Sequence, residues 1–198
     1  MTVSSFASKS AGLSEYIKTR VDATDEMKAA NFAQGDIITT VLTCARGETI
    51  LLRLDTTLPR SYSRDFTVRG TKGLYMQDTN SVFLDGDEES FEPVEYYKKA
   101  LNNAVKFEDE YLPGIWKNVT EETLKAGHGG MDWFAYMGFT DALINGEEMP
   151  VDVYDAATWQ AVAVLSEMSI KQGGAPQIMP DFTNGKWFKR PRKDVCRL

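Results

Sequence analysis

Alternating apolar positions and β-branched residues in the first half of the chain predict short β-strands. The runs Asp36–Ala45 and Glu48–Asp55 flank a turn at Arg46-Gly47, which is typical of a β-hairpin. Further strands are expected at Met1–Ser8, Phe66–Arg69, Leu74–Met76 and Val82–Leu84. Because short loops between consecutive strands favour antiparallel pairing, the pattern predicts an open, mainly antiparallel sheet.

Helical spacing marks a second set of segments, most of them in the second half of the chain. Helices are predicted at Gly12–Arg20, Val94–Phe107, a short segment capped by Asn118 or Thr120, Asp132–Asn145, and a long segment from Asp152 or Asp155 to Lys171. Runs of strands followed by runs of helices define an α+β fold. We expect the helices to pack on one face of the sheet and to leave the other face for a partner or a second domain.

Composition narrows the class of protein. The chain has 198 residues, 42% of them hydrophobic, and a net charge of −7. We predict a single domain over residues 1–198 with a basic, extended tail at about 176–198. An acidic chain lacks the basic surface that nucleic acid requires, and no apolar run is long enough to span a membrane. One histidine and the isolated Cys44 and Cys196 predict no metal site and no disulfide framework.

A loop between two predicted strands carries the first candidate chemistry. It reads Pro59-Arg60-Ser61-Tyr62-Ser63-Arg64, and loops at strand ends often hold functional residues. Tyr62, with an arginine on either side, is a candidate acid or base, or a hydrogen-bond donor to a sugar hydroxyl. The alternative is a surface turn covered by an aromatic ring.

A glycine-rich loop carries the second candidate. It reads Gly127-His128-Gly129-Gly130-Met131-Asp132 and contains the only histidine. His128 is a candidate general base or hydrogen-bond donor, and Asp132 either orients it or caps the following helix. The alternative, which spacing alone favours, is a tight turn with an aspartate cap. Neither loop has the spacing of a dinucleotide fingerprint, and no pair of carboxylates is marked for glycoside hydrolysis.

A set of motifs occurs in a distinctive order from about Ser8 to Trp187. They are Gln34-Gly35-Asp36, Thr56-Thr57-Leu58-Pro59-Arg60-Ser61-Tyr62-Ser63-Arg64, Gly70-Thr71-Lys72-Gly73, Gly127-His128-Gly129-Gly130-Met131-Asp132, Asp152-Val-Tyr-Asp155-Ala-Ala and Pro180-Asp181-Phe182. Together they resemble the C-terminal domain of the Gfo/Idh/MocA oxidoreductase superfamily. The closest branch is the NAD-dependent glycosidases of glycoside hydrolase family 109, of the α-N-acetylgalactosaminidase type.

The resemblance implies a dihydrodipicolinate-reductase-like domain that follows an N-terminal Rossmann domain, which we expect to lie upstream of Met1. NAD would be bound by that domain, with no cofactor-binding residue in this chain. In the family, hydride leaves sugar C3, a base takes the C2 proton, the glycosidic oxygen is eliminated, water adds and hydride returns. We expect Tyr62, Arg64, His128 and Asp132 to bind the carbohydrate substrate, with Tyr62 touching the sugar, and we assign no catalytic residue.

Three functions remain open at this point. The chain is the substrate-binding domain of an NAD-dependent glycosidase, the equivalent domain of an NAD(P)-dependent sugar dehydrogenase, or an oligomerisation module whose open sheet pairs with a second copy. We expect the isolated fragment to be inactive and to form a homo-oligomer through the sheet. The sugar, its anomer and the compartment of the parent protein stay undetermined.

Overall fold

A computed structural model describes residues 1–87, 93–117 and 119–190. The described chain forms two compact units. Unit 1 contains Met1–Arg60 and the described residues from Val151 onward, and unit 2 contains Ser61–Pro150.

The described elements confirm the predicted α+β class. The strands are β1 (Thr2–Ala7), β2 (Ile37–Thr43), β3 (Thr49–Asp55), β4 (Thr67–Arg69), β5 (Gly73–Met76), β6 (Ser81–Leu84) and β7 (Gln177–Ile178). The α-helices are α1 (Gly12–Thr19), α2 (Asp25–Ala29), α3 (Pro93–Ala100), α4 (Glu108–Tyr111), α5 (Gly114–Lys117), α6 (Glu121–Lys125), α7 (Met131–Asn145) and α8 (Val153–Lys171). Short 3₁₀ helices occur at Asn103–Phe107, His128–Gly130 and Lys186–Lys189.

Unit 1 is an antiparallel sheet with strand order β3-β2-β1-β7, covered on one face by α8. The predicted hairpin is confirmed, with Leu42 opposite Ile50 in the β2–β3 register. Val3, Leu42 and Leu165 form the buried core where α8 meets the sheet. The apolar face of α8 therefore packs against the face of the sheet that carries Val3 and Leu42.

Polar side chains fix the register of α8 on the sheet. The Ser5 backbone N–H donates to Ser169 Oγ at 2.9 Å, and Ser5 Oγ donates to Thr40 Oγ1 at 2.8 Å. Ser5 and Ser169 are both fully buried, so each polar group needs the other as a partner.

The N-cap of α8 is Asp152, one of the two predicted alternatives, and Asp155 at the third helical position completes a capping box. Asp152 Oδ1 accepts the backbone N–H groups of Tyr154 and Asp155, and Asp155 Oδ2 accepts the N–H of Asp152 in return. Arg190 lies in the predicted basic tail, and its guanidinium binds the Asp155 carboxylate at 2.8 and 2.9 Å. Residues 191–198 of that tail lie outside the described residues.

Asp36 joins three segments of unit 1. Its carboxylate accepts the backbone N–H groups of Ala11 and Gly12 at the start of α1, each at 2.9 Å, and the Thr57 hydroxyl beyond β3 at 2.9 Å. These hydrogen bonds, above all the one from Gly12, hold the pKa of the Asp36 carboxyl below its ordinary value. A Cβ on Gly12 would lie 2.8 Å from the Thr57 carbonyl oxygen, so only glycine fits there. The motif around Asp36 is therefore structural.

Unit 2 contains a separate three-stranded antiparallel sheet with order β4-β5-β6. The sequence pattern predicted one sheet for all strands, whereas the structure divides them between two. The irregular segment that follows β3 pairs with neither sheet, and the short strands β4 to β6 pair only with their immediate neighbours. Alternation within a strand defines its two faces but not the sheet to which it belongs.

Two helix predictions in unit 2 need correction or completion. The helix predicted over Val94–Phe107 is broken, because Asn102 adopts a left-handed conformation with φ +59° and a 3₁₀ helix follows it. The cap of α6 is Thr120, whose Oγ1 accepts the Thr123 N–H at 3.2 Å, while the alternative Asn118 lies outside the described residues. Among the helices of the described chain, none has both the length and the apolar character needed to cross a bilayer.

Candidate functional site

The loop before α7 is a left-handed turn. Its residues have positive φ throughout: +80° at Gly127, +42° at His128, +70° at Gly129 and +93° at Gly130. Glycine adopts such angles at little steric cost, whereas a histidine there is strained. The glycine-rich sequence therefore encodes one defined turn that presents the His128 side chain.

His128 and Asp132 form a hydrogen-bonded pair across this turn. Nδ1 of His128 lies 2.8 Å from Oδ2 of Asp132, and the two side chains are 72% and 61% exposed. An ionised carboxylate only accepts hydrogen bonds, so it favours the tautomer with hydrogen on Nδ1 and a lone pair on Nε2. The exposed imidazole can then accept a hydrogen bond or a proton through Nε2.

The geometry decides between the two roles considered for Asp132. The helix begins at Met131, one residue earlier than predicted, and its N-cap is Gly130, which provides no side-chain cap. Asp132 lies in the first turn of α7, where the helix dipole favours its negative charge. Its carboxylate orients the imidazole of His128. A Cβ on Gly127 would lie 2.3 Å from Asp132 Oδ2, so the absence of a side chain at Gly127 makes room for the carboxylate.

The loop that carries Tyr62 is held by its neighbours. The Tyr62 ring is 85% exposed, and no hydrogen bond or ring contact holds it among the described residues. Ser63 Oγ lies 2.5 and 2.7 Å from the two carboxylate oxygens of Asp78 and accepts the Asp65 N–H at 2.7 Å. These hydrogen bonds hold Ser63 in place, and the neighbouring Tyr62 and Arg64 are held through the backbone that they share with it.

Arg64 connects the two candidate loops. Its Nη1 lies 3.6 Å from Sδ of Met131, which is 67 positions further along the chain and precedes Asp132. Three of the predicted site residues, Arg64, His128 and Asp132, therefore lie in one region of unit 2. Tyr62 belongs to the same loop as Arg64, but among the described residues no hydrogen bond or ring contact joins its 85% exposed side chain to the glycine-rich turn.

The other arginine beside Tyr62 has a structural partner. Arg60 Nη1 donates to the Leu58 carbonyl at 3.1 Å and lies 3.6 Å from Asp55 Oδ1, all within unit 1. The arginines that flank Tyr62 in sequence therefore differ in role. Only Arg64 reaches the glycine-rich turn.

Neither a cluster of metal ligands nor a parallel strand pair is found among the described residues. No group of three or more His, Cys, Asp or Glu side chains is placed to hold a metal ion within residues 1–87, 93–117 and 119–190. The strand pairs found there are antiparallel, whereas a Rossmann domain is built on parallel strands. The described residues therefore do not form a Rossmann fold.

Sequence reasoning missed Asp78, which anchors the Tyr62 loop. Asp78 lies 15 positions from Ser63 in the turn between β5 and β6, where an aspartate is ordinary. The only local signal was the position of Ser63 between Tyr62 and Arg64.

Comparison with known proteins assigns the family. The chain matches the glycosyl hydrolase 109 C-terminal domain over residues 1–189. It is 42% identical over 189 residues to a glycosyl hydrolase family 109 protein of Stenotrophomonas maltophilia (strain K279a), covering 95% of this chain and 40% of the relative. It is 37% identical to an alpha-N-acetylgalactosaminidase of Tannerella forsythia, covering 96% and 39%, and 32% identical to one of Shewanella oneidensis, covering 93% and 40%.

The chain therefore belongs to the glycosyl hydrolase 109 C-terminal domain family, as its motifs predicted. It spans about two fifths of the length of these curated relatives.

Proposed function

We propose that the full-length protein containing this chain is an NAD-dependent glycosidase acting on α-N-acetylgalactosaminides, and that this chain is its substrate-binding C-terminal domain. Family membership supports a glycosidase, and two relatives bear the name alpha-N-acetylgalactosaminidase. The observation that carries the substrate-binding role is the 3.6 Å contact between Arg64 and Met131, because it brings the Tyr62 loop to the glycine-rich turn.

The side chains of this region suit a polar, uncharged sugar. The Arg64 guanidinium and the Tyr62 hydroxyl can donate hydrogen bonds to sugar hydroxyls or to an acetamido carbonyl. Nε2 of His128, with its lone pair favoured by Asp132, can accept a hydrogen bond from a hydroxyl. Donors and an acceptor on separate loops would fix the orientation of the sugar ring.

We propose that NAD would be held by a part of the full-length protein outside this chain. NAD would supply reversible removal of hydride from the sugar, which acidifies the neighbouring carbon. The residues of this chain would bind the sugar, orient it and accept hydrogen bonds from it.

An assay of the full-length protein tests the proposal. The protein is incubated with NAD and an aryl α-N-acetylgalactosaminide, and a panel of free sugars is tested separately for NADH formation. We expect release of the aryl alcohol without net NADH, since hydride returns to the sugar. Net NADH formation from a free sugar without glycoside cleavage would instead support a sugar dehydrogenase, and the absence of both would overturn the proposal.

We also propose that the protein forms a homo-oligomer through the open face of the unit 1 sheet. On the face opposite α8, Val41 and Leu51 are paired across β2 and β3, and Ile178 lies on β7. All three are exposed, Leu51 at 61%. An apolar sheet face of this kind is expected to associate. Sedimentation of Leu51→Lys beside the unchanged protein tests this: a shift toward monomer supports it, and an unchanged monomer in both contradicts it.

A further inference from the structure

We infer that Asp78 is a positioning residue that holds Tyr62 and Arg64 in place by binding Ser63. The inference rests on the proposed function, because it assigns Asp78 a part in substrate turnover. Asp78 touches neither of these two side chains, and it acts through the residue between them.

Ser63 is the fixed point of an irregular loop. Its hydroxyl donates to the Asp78 carboxylate at 2.5 and 2.7 Å and accepts the Asp65 N–H at 2.7 Å. Hydrogen bonds to a charged group are short and strong, and this one joins residues 15 positions apart. Asp65 has φ +48°, a left-handed angle that the bond from its N–H to Ser63 stabilises.

The turn that carries Asp78 is itself anchored. The Asn80 N–H donates to the Gln77 carbonyl at 3.0 Å, and the Gln77 N–H donates to the Phe66 carbonyl at 2.9 Å. Nδ2 of Asn80 donates to Oδ1 of Asn102 at 2.7 Å. The carboxylate of Asp78 therefore projects from a braced turn, and it can restrain the loop that Ser63 belongs to.

Tyr62 and Arg64 depend on this restraint. The Tyr62 ring is 85% exposed and without a hydrogen bond or ring contact among the described residues, so its position follows its backbone. Arg64 reaches Met131 through one 3.6 Å contact between Nη1 and a weakly accepting sulfur. Without the Ser63–Asp78 bond the loop would sample other conformations, and both side chains would leave their places.

Kinetics of the full-length protein on an aryl α-N-acetylgalactosaminide test the inference. Asp78→Ala should lower kcat by about 10- to 100-fold, the loss expected when groups at the substrate are misplaced. Asp78→Asn keeps an accepting oxygen for Ser63 and should recover part of the loss. Asp87→Ala is the matched control, because the Asp87 carboxylate also accepts a hydrogen bond in a turn of the same sheet, in its case from the Leu84 backbone N–H. It should leave kcat unchanged.

A double-mutant cycle shows whether Asp78 acts through Ser63. If it does, Asp78→Ala combined with Ser63→Ala should lower kcat no further than either substitution alone. Additive losses would overturn the assigned route. If Asp78→Ala fails to fold, Asp78→Asn and Ser63→Ala provide the same comparison.

Limited trypsin digestion measures how often the loop around Ser63 opens, and it needs no activity assay. Asp78→Ala should speed cleavage after Arg64 several-fold, while Asp87→Ala should not, since cleavage follows the population of open loop. Unchanged cleavage and unchanged kcat overturn the inference and leave the proposed function standing. A full-length protein that cleaves no glycoside overturns the proposed function and the part of Asp78 in turnover, and the digestion then reports only on the loop.

Discussion

Two aspartates of this chain show how differently the same side chain is used in the two units. Asp36 of unit 1 is 5% exposed and accepts two backbone N–H groups and a hydroxyl. Asp132 of unit 2 has a side chain that is 61% exposed, and it binds the imidazole of His128. The first closes a network that belongs to the fold, whereas the second orients an exposed imidazole. Burial thus distinguishes a carboxylate that maintains structure from one that lies at the surface.

Removing the Asp36 carboxylate should have the largest effect, and it should act on stability. Asp36→Ala leaves the partly buried N–H groups of Ala11 and Gly12 without their acceptor, and unpaired donors away from water are costly. We expect the Tm to fall by about 5 °C or more. Asp36→Asn, which keeps one accepting oxygen, should fall less. A Tm within experimental error of the unchanged protein would contradict the structural role.

Removing the Asp132 carboxylate should act on turnover instead. Asp132→Ala leaves His128 without its partner, so the imidazole loses its tautomer and orientation. We expect kcat/KM of the full-length protein on an aryl α-N-acetylgalactosaminide to fall by about 100-fold, the scale of an acid–base or orienting contribution. The Tm should change by no more than about 2 °C, because a pair so exposed contributes little to stability. A large fall in Tm with unchanged kinetics would contradict this role, because it would make Asp132 a structural residue like Asp36.

Substitution of the turn glycines should have a smaller effect on turnover. It distinguishes a steric clash with Asp132 from backbone strain at a positive φ. Gly127→Ala places a Cβ 2.3 Å from Asp132 Oδ2 and should push the carboxylate away from His128. We expect turnover to fall by about 10-fold.

Gly129→Ala is the control for that substitution. Gly129 also has a positive φ, but a Cβ there has no neighbour within 4 Å. It shares the backbone strain without the contact, so turnover should fall less. Equal losses in the two variants would show that strain alone matters.

Tyr62→Phe should have a modest effect on turnover and none on folding. The exposed ring makes no hydrogen bond among the described residues, so losing its hydroxyl should not lower the Tm. Loss of one hydrogen bond to the sugar should lower kcat/KM by about 3- to 10-fold. Unchanged kinetics would remove Tyr62 from the site.

The smallest expected effect is a difference in acid stability that comes from Asp36. Hydrogen bonds lower the pKa of this carboxyl in the folded state, so its contribution is fully present above the ordinary value of 3.8. It is lost as the pH falls through the folded pKa, which lies below that value. Urea unfolding between pH 5 and pH 2 should therefore be less pH-dependent in Asp36→Asn. If stability fell equally with pH in the unchanged protein and in Asp36→Asn, Asp36 would not be the source of the acid sensitivity.

Much of the fold could be predicted because its signals are local. The β2–β3 hairpin follows from alternation around Arg46-Gly47, and the start of α8 follows from the spacing of Asp152 and Asp155. The helix break at Asn102 was not predicted, because an asparagine within a helical pattern does not by itself indicate a left-handed conformation.

The candidate site was predicted residue by residue, but not its connections. The left-handed turn around His128 follows from its glycines, whereas the pairing of His128 with Asp132 was one of two roles that the sequence left open for Asp132. The contact from Arg64 to Met131 spans 67 positions, and the sequence of neither segment predicts it. Such contacts depend on how separate elements pack, which periodicity does not encode.

The central claim is that the loop with Tyr62 and Arg64 and the turn with His128 and Asp132 bind one sugar. A crystal structure of the full-length protein with N-acetylgalactosamine tests this most directly. We predict that the sugar lies within hydrogen-bonding distance of Tyr62 or Arg64 on one side and of His128 on the other. A sugar bound without contact to either loop would contradict the account.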